Sequence, residues 1–118
     1  MSTRRLQKVA EALRREVSRV MLYEVKDPRI RSITVTRVEP SMDLRTARVY
    51  VSLLGDEEIR EKTLRILRKA RGHIQSLVGE HLGLRYVPIL SFSLDSTENR
   101  AQKIVKLIEE IAKEELNT

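Results

Sequence analysis

The chain predicts an α+β domain in which helices pack against a three-stranded sheet. Two long stretches repeat apolar residues every three or four positions, which marks helices, and a short run between them alternates apolar and polar residues as a half-buried strand does. Along the chain the elements follow the order α-β-β-α-kink-α-β-α, with no internal repeat and no low-complexity linker. At 118 residues this is one domain, 1–118, long enough to bury well over half of its unfolded surface. The extreme ends, about 1–3 and 113–118, are expected to be loose.

Thr3 is placed to cap a first helix reaching about Val25, with Leu6, Val9, Ala10, Leu13, Val17, Val20 and Met21 on its buried face. Asp27-Pro28 ends that helix, because the residue before a proline is pushed out of the helical region. SITVTRVEP and RTARVYVSLL then read as a hairpin across Ser41-Met42-Asp43-Leu44. The second run is regular, with Ala47, Val49, Val51 and Leu53 facing inward. In the first, Val38 breaks the parity that Ile33 and Val35 share, so a bulge or two-sided burial is expected.

A second helical stretch runs from Asp56 or Glu57 to about Leu82, its apolar side formed by Ile59, Leu64, Leu67, Ala70, Ile74, Leu77 and Val78. A glycine inside a helix costs about 1 kcal/mol against alanine, so Ala70-Arg71-Gly72 marks a kink or a break. Gly79 and Gly83 weaken and close the end. YVPILSFSLDS supplies the third strand, and Pro88 places it near an edge or at the strand's start. Asp95-Ser96-Thr97-Glu98 then caps a last helix expected to bury Ala101, Ile104, Val105, Ile108, Ile111 and Ala112.

Composition narrows the chemistry. There is no cysteine, which excludes disulfides, thiolate nucleophiles and cysteine-based metal sites. No apolar run is long enough for a membrane span, and the charged N-terminal stretch lacks the core of a signal peptide, so a cytoplasmic protein is expected. His73 and His81 have no ligand spacing between them, the paired glutamates suit wet helix faces, and no phosphate-loop, dinucleotide or nucleophile-elbow motif occurs. Neither an enzyme, a cofactor, a metal nor a small-molecule substrate is indicated.

The charge is unevenly placed. The net is +6 at pH 7 with a pI near 10.0, and residues 1–31 hold nine Lys/Arg against four Asp/Glu. Residues 57–85 hold seven against four, and the remainder of the chain carries no surplus. Such a basic imbalance points to an anionic partner. Three candidate groups follow. Arg65, Arg68, Lys69, Ala70, Arg71 and Gly72 surround the kink, where a glycine lets a phosphate approach backbone N–H groups while the cations supply counter-charge. Arg4, Lys8, Arg15 and Arg19 form a stripe on the first helix, and Lys26, Arg29 and Arg31 extend it across the joint. A solvated, salt-bridged surface explains a high charge content but not its imbalance. Aromatic residues are few, so phosphates and shape should outweigh base stacking.

RRLQKVAEALRREVSRVM with EVKDPRI, then ITVTRVEPSMDLRTARVYVSLLG, then ARGHIQSLVGEHLGLRYVPILSFSLDSTE together resemble the ribosome-binding factor A family. The resemblance covers about Arg4 to Ile111, in order. It implies a KH-like fold of the second type. In place of the GxxG loop by which ordinary KH domains clamp single strands, the family has an interrupted helix with an Ala-x-Gly kink, and Ala70-Arg71-Gly72 matches it. It further implies a non-catalytic assembly factor; since nothing in the sequence suggests an obligate oligomer, a monomer is expected. Its partners would be the immature small ribosomal subunit and its ribosomal RNA, whose late maturation and processing it promotes, with a role in cold adaptation; an assembly GTPase or other factor promoting release is a further candidate partner that the sequence does not decide. A generic structured-RNA-binding module and a protein–protein adaptor stand as alternatives, separable by subunit preference and by salt sensitivity.

Overall fold

The computed structural model describes residues 3–83, 86–95, 108–109 and 111–115. The first periodic stretch forms helix α1 (Thr3–Arg19), which turns Leu13 and Val17 into the core. It does not continue as a regular helix to Val25. Val20–Glu24 widen into a π-helical turn, and the Val25 amide donates at 3.0 Å to the Val20 carbonyl, five residues back. Val20, Met21 and Val25 are buried there, while Leu22 and Tyr23 stay outside.

Asp27-Pro28 opens an element as well as closing one. A short helix α2 (Pro28–Arg31) begins at the proline, whose missing N–H is no loss in a first turn. Asp27 takes the extended backbone that a following proline favours, and its carboxylate caps the turn by accepting from the Arg29 amide at 3.0 Å. Ile30, at 1% exposure, pins α2 to the core.

The sheet comprises β1 (Thr34–Pro40), β2 (Thr46–Ser52) and β3 (Ile89–Leu94) in the order β1-β2-β3. β1 and β2 pair antiparallel; β2 and β3 run parallel, which leaves β3 at an edge. The expected bulge is present. The register slips between Val35 and Arg37, so Thr36 has no partner across the ladder, and both Val35 and Val38 reach the core. Thr36 instead lies 2.7 Å from an Asp95 carboxylate oxygen and 3.1 Å from the Tyr50 carbonyl, tying the bulge to the end of β3.

Helix α3 (Glu57–Lys69) is capped by Asp56, whose carboxylate accepts from the Ile59 amide at 2.9 Å. It breaks at Ala70, and α4 (Arg71–Leu82) follows at once, closed by Gly83 in the left-handed region. Leu67, Ile74 and Val78 join α1 and the inner strand residues Val49, Val51, Leu90 and Phe92 in one apolar core. Ile59, expected on the buried side, is half-exposed over Gly55 at the start of α3.

Of the last helix, residues 108, 109 and 111–115 are helical, but Ile108, Ile111 and Ala112 are exposed rather than buried. Helical spacing shows which residues share a face, not that a core is there to receive them. Ala101, Ile104, Val105 and the cap at Ser96 to Glu98 lie outside the described residues.

Candidate nucleic-acid interface

The break between α3 and α4 is made at Ala70, whose φ of −82° and ψ of −2° close one helix and open the next. Its amide reaches back to the Ile66 and Leu67 carbonyls at 3.2 and 3.1 Å. No side chain caps the start of α4, so its first-turn N–H groups have no side-chain acceptor. Gly72 lies in that turn, exposed, and a Cβ built on it would meet nothing within 4 Å. Neither packing nor a positive φ therefore asks for glycine at this position. The bend belongs to Ala70, and the open space beside Gly72 leaves the backbone approachable from solvent.

The cations of this segment divide into two kinds. Arg65 and Lys69 are exposed, Arg71 is half-buried, and none of the three has a partner among the described residues. Arg68 is committed to the fold: its guanidinium donates to the Phe92 carbonyl, with Nη2 at 3.2 Å, and so clasps the outer edge of β3 to α3. Gln75 does the same one turn into α4. Its carboxamide donates to the Pro88 carbonyl and accepts from the Leu90 amide, both at 2.8 Å, as a neighbouring strand would.

On α1, Arg4 and Lys8 are exposed and unpaired among the described residues. Arg15 lies 3.9 Å from Glu11, whose closer partner is Arg14 at 2.5 Å. Arg19 is held twice, by Glu16 at 2.6 Å and by Glu24 at 3.1 Å, and Glu24 also lies 3.3 Å from His81 on α4. The hydrogen bond from Arg19 draws the Glu16 carboxyl below its ordinary range, and that from Arg14 does the same to Glu11. The lower end of the stripe is thus a scaffold for the π turn, and its upper end is a free cationic surface.

At the joint, Lys26 is exposed and unpaired among the described residues. Arg29 is gripped by Asp27 at 3.0 and 2.8 Å, a contact that depresses the Asp27 carboxyl. Arg31 donates through Nε to the Val25 carbonyl at 3.1 Å. Sequence reasoning left out other cations, Lys62 and Arg48 among them. Lys62 lines, with Arg29, Ile33, Leu53 and Ile66, a cleft of about 390 Å³ between α2 and α3. Arg48 stands exposed on β2, where strand alternation had already turned it away from the core. Among the described residues, no cluster of His, Asp and Glu could hold a metal ion, and no helix is long and apolar enough to cross a membrane.

An α+β domain whose unpaired cations, among the described residues, include those of a helix break, a helix end and a joint belongs to the class of basic proteins suited to a polyanionic surface. Comparison with known proteins makes the class particular. The sequence profile of the family "Ribosome-binding factor A" matches residues 5–108. A protein named ribosome-binding factor A from Halothermothrix orenii is 42% identical over 98% of this chain and 94% of its own length. Its namesake from Rhodopirellula baltica is 40% identical over 97% of this chain and 83% of its own. The chain belongs to the ribosome-binding factor A family. The crystal structure of ribosome-binding factor A from Thermus thermophilus superposes with a TM-score of 0.65 at 26% identity, covering 75% of this chain and 94% of that one. A Thermus thermophilus homology model fitted into the cryo-EM map of a 30S complex superposes with a TM-score of 0.56 at 26% identity, covering 79% and 93%.

Proposed function

We propose that this protein is a non-catalytic, monomeric assembly factor of the small ribosomal subunit. It binds the immature subunit, favours late maturation and processing of the ribosomal RNA, and leaves with the help of a GTPase or another factor, a service most needed in the cold, when RNA rearranges slowly. The observation that carries this reading is the helix break: three cations unpaired among the described residues, beside a glycine that the fold does not require, in a chain whose structural relative was fitted into a 30S complex. In the KH-like reading of the fold, Ala70-Arg71-Gly72 replaces the single-strand clamp. Arg65, Lys69 and Arg71 then meet phosphates of a structured RNA surface, with Arg4, Lys8 and Lys26 widening the contact. Arg19 and Arg68 support the surface from within. A factor of this kind needs no chemistry. Binding one RNA conformer about 1.4 kcal/mol more tightly than another shifts their ratio tenfold.

Co-sedimentation with purified small and large subunits across a salt series, with transfer RNA as competitor, tests the proposal. Salt-sensitive binding confined to the small subunit and resistant to competitor is expected. Equal binding to both subunits, lost to competitor, would leave only a general RNA-binding domain.

A further inference from the structure

The sheet face turned away from the core is built in cross-strand rows, Glu39-Arg48-Ser91 in one and Arg37-Tyr50-Ser93 in the next. Arg37 stands opposite Tyr50 because of the bulge; without the extra residue, Thr36 would occupy that place. Three contacts then fix the group. The guanidinium carbon of Arg37 lies 3.9 Å from the centroid of the Tyr50 ring. Its Nη1 is paired with the Glu39 carboxylate, and the Tyr50 hydroxyl donates to the other oxygen of that carboxylate at 3.2 Å. Tyr50 is covered to 9% exposure, while the arginine side chain keeps 42% of its own surface in solvent.

We infer that Arg37, seated on Tyr50 and held by Glu39, is a stacking platform for one unpaired RNA base, with Arg48 beside it taking the adjoining phosphate. Guanidinium groups stack on nucleobases as aromatic rings do, and one immobilised beforehand loses little freedom on binding. Arg48 is exposed and unpaired among the described residues, and Thr46, Ser91 and Ser93 stand at positions of the same face. Ile89 is the one large apolar side chain exposed on the described strands, too little for the apolar centre of a protein interface. The inference rests on the RNA-binding reading and goes beyond it. α3 and α4 pack on the inner face, so a base on the outer face puts RNA on both sides of the sheet.

The test is fluorescence anisotropy of the full chain with two labelled RNA hexamers at low salt. One is uridine with a single central adenosine, and the other lacks that base. The intact hexamer is expected to bind about tenfold more tightly. Arg37→Lys, which keeps the charge and loses the plane, removes that preference, whereas Tyr50→Phe, which keeps the ring, retains it. Equal binding of the two hexamers by the wild-type chain, binding of neither, or a preference that survives Arg37→Lys overturns the platform. Weakened subunit binding by Arg37→Lys with the preference intact would assign this face to a protein partner and overturn it too. Wild-type binding to small subunits is measured alongside. If it persists with no base preference, only the platform falls; if it is absent while the preference remains, the assembly-factor reading falls alone.

Discussion

At Gly55, φ is +108° and a Cβ would lie 2.8 Å from Ile59 Cγ2, so both the backbone and the neighbour exclude a side chain. Gly55→Ala should therefore cost about 1–3 kcal/mol, measured by urea unfolding. Gly72 asks for the opposite. Its surroundings are open and its backbone is ordinary, so Gly72→Ala should stabilise the fold by about 0.5–1 kcal/mol. If the bare backbone serves to admit a phosphate, the same substitution should weaken subunit binding several-fold. Higher stability with lower affinity would separate function from folding at one residue, and unchanged affinity would reduce Gly72 to a neutral occupant. The paired carboxylates set a second residue-scale expectation. Glu11, Glu16, Asp27 and Asp43 are lowered from their ordinary pKa by hydrogen bonds from Arg14, Arg19, Arg29 and Ser41 respectively. Groups depressed in the folded state stabilise it above their unfolded pKa and lose that contribution as pH falls through the folded value. Unfolding midpoints in urea should be level from neutral pH to about 5 and decline below about pH 4. The decline should be shallow, because these pairs are largely solvated.

At the scale of elements, the edge of β3 is the place where one contact decides how two elements meet. Gln75 offers its carboxamide to Pro88 and Leu90 as a fourth strand would, and Arg68 adds a clasp at Phe92. Gln75→Ala leaves a carbonyl and an amide at the edge to be satisfied by water alone. It should cost about 1–3 kcal/mol, with faster hydrogen exchange at the Leu90 amide than at the Ser91 amide, whose strand position faces β2. Full protection at Leu90 would show that the clasp is incidental. Such a contact is invisible in one dimension, since Gln75 and Leu90 are fifteen residues apart and neither is unusual alone. Period and parity were legible: α1, the alternation of β2 and the bulge in β1 follow from them, whereas the break was expected from the glycine of Ala70-Arg71-Gly72 and the structure makes it at Ala70 instead. The π turn was not legible, because its cause is a hydrogen bond from Val25 to Val20 rather than a residue pattern. Nor was α2, since Asp27-Pro28 reads equally as a helix end and a helix start. The candidate site was legible as charge and illegible as pairing. Nothing in the string EVKDPRI tells that Asp27 folds back onto Arg29 while Lys26 keeps its charge unpaired among the described residues.

For the whole molecule, a net charge of +6 fixes the sign of the partner but not the surface that meets it. The division of cations into committed and free makes that surface testable. Arg65 and Lys69 are exposed and have no partner among the described residues, so reversing both should leave the unfolding free energy within about 0.5 kcal/mol of wild type. If each neutralises one phosphate, the plot of log affinity against log salt should become shallower by about 2, since each lost phosphate contact removes about 0.9. Arg19→Ala provides the contrast. It breaks the pairs with Glu16 and Glu24 beside the π turn, so it should lower the urea midpoint slightly while leaving the salt slope nearly unchanged. Lower affinity with an unchanged slope in the double variant would mean that the segment acts through shape, and the phosphate contacts would have to be sought on α1 and the joint. A steeper loss in Arg19→Ala than in the double variant would turn the assignment around, making the stripe on α1 the principal contact and the helix break its support.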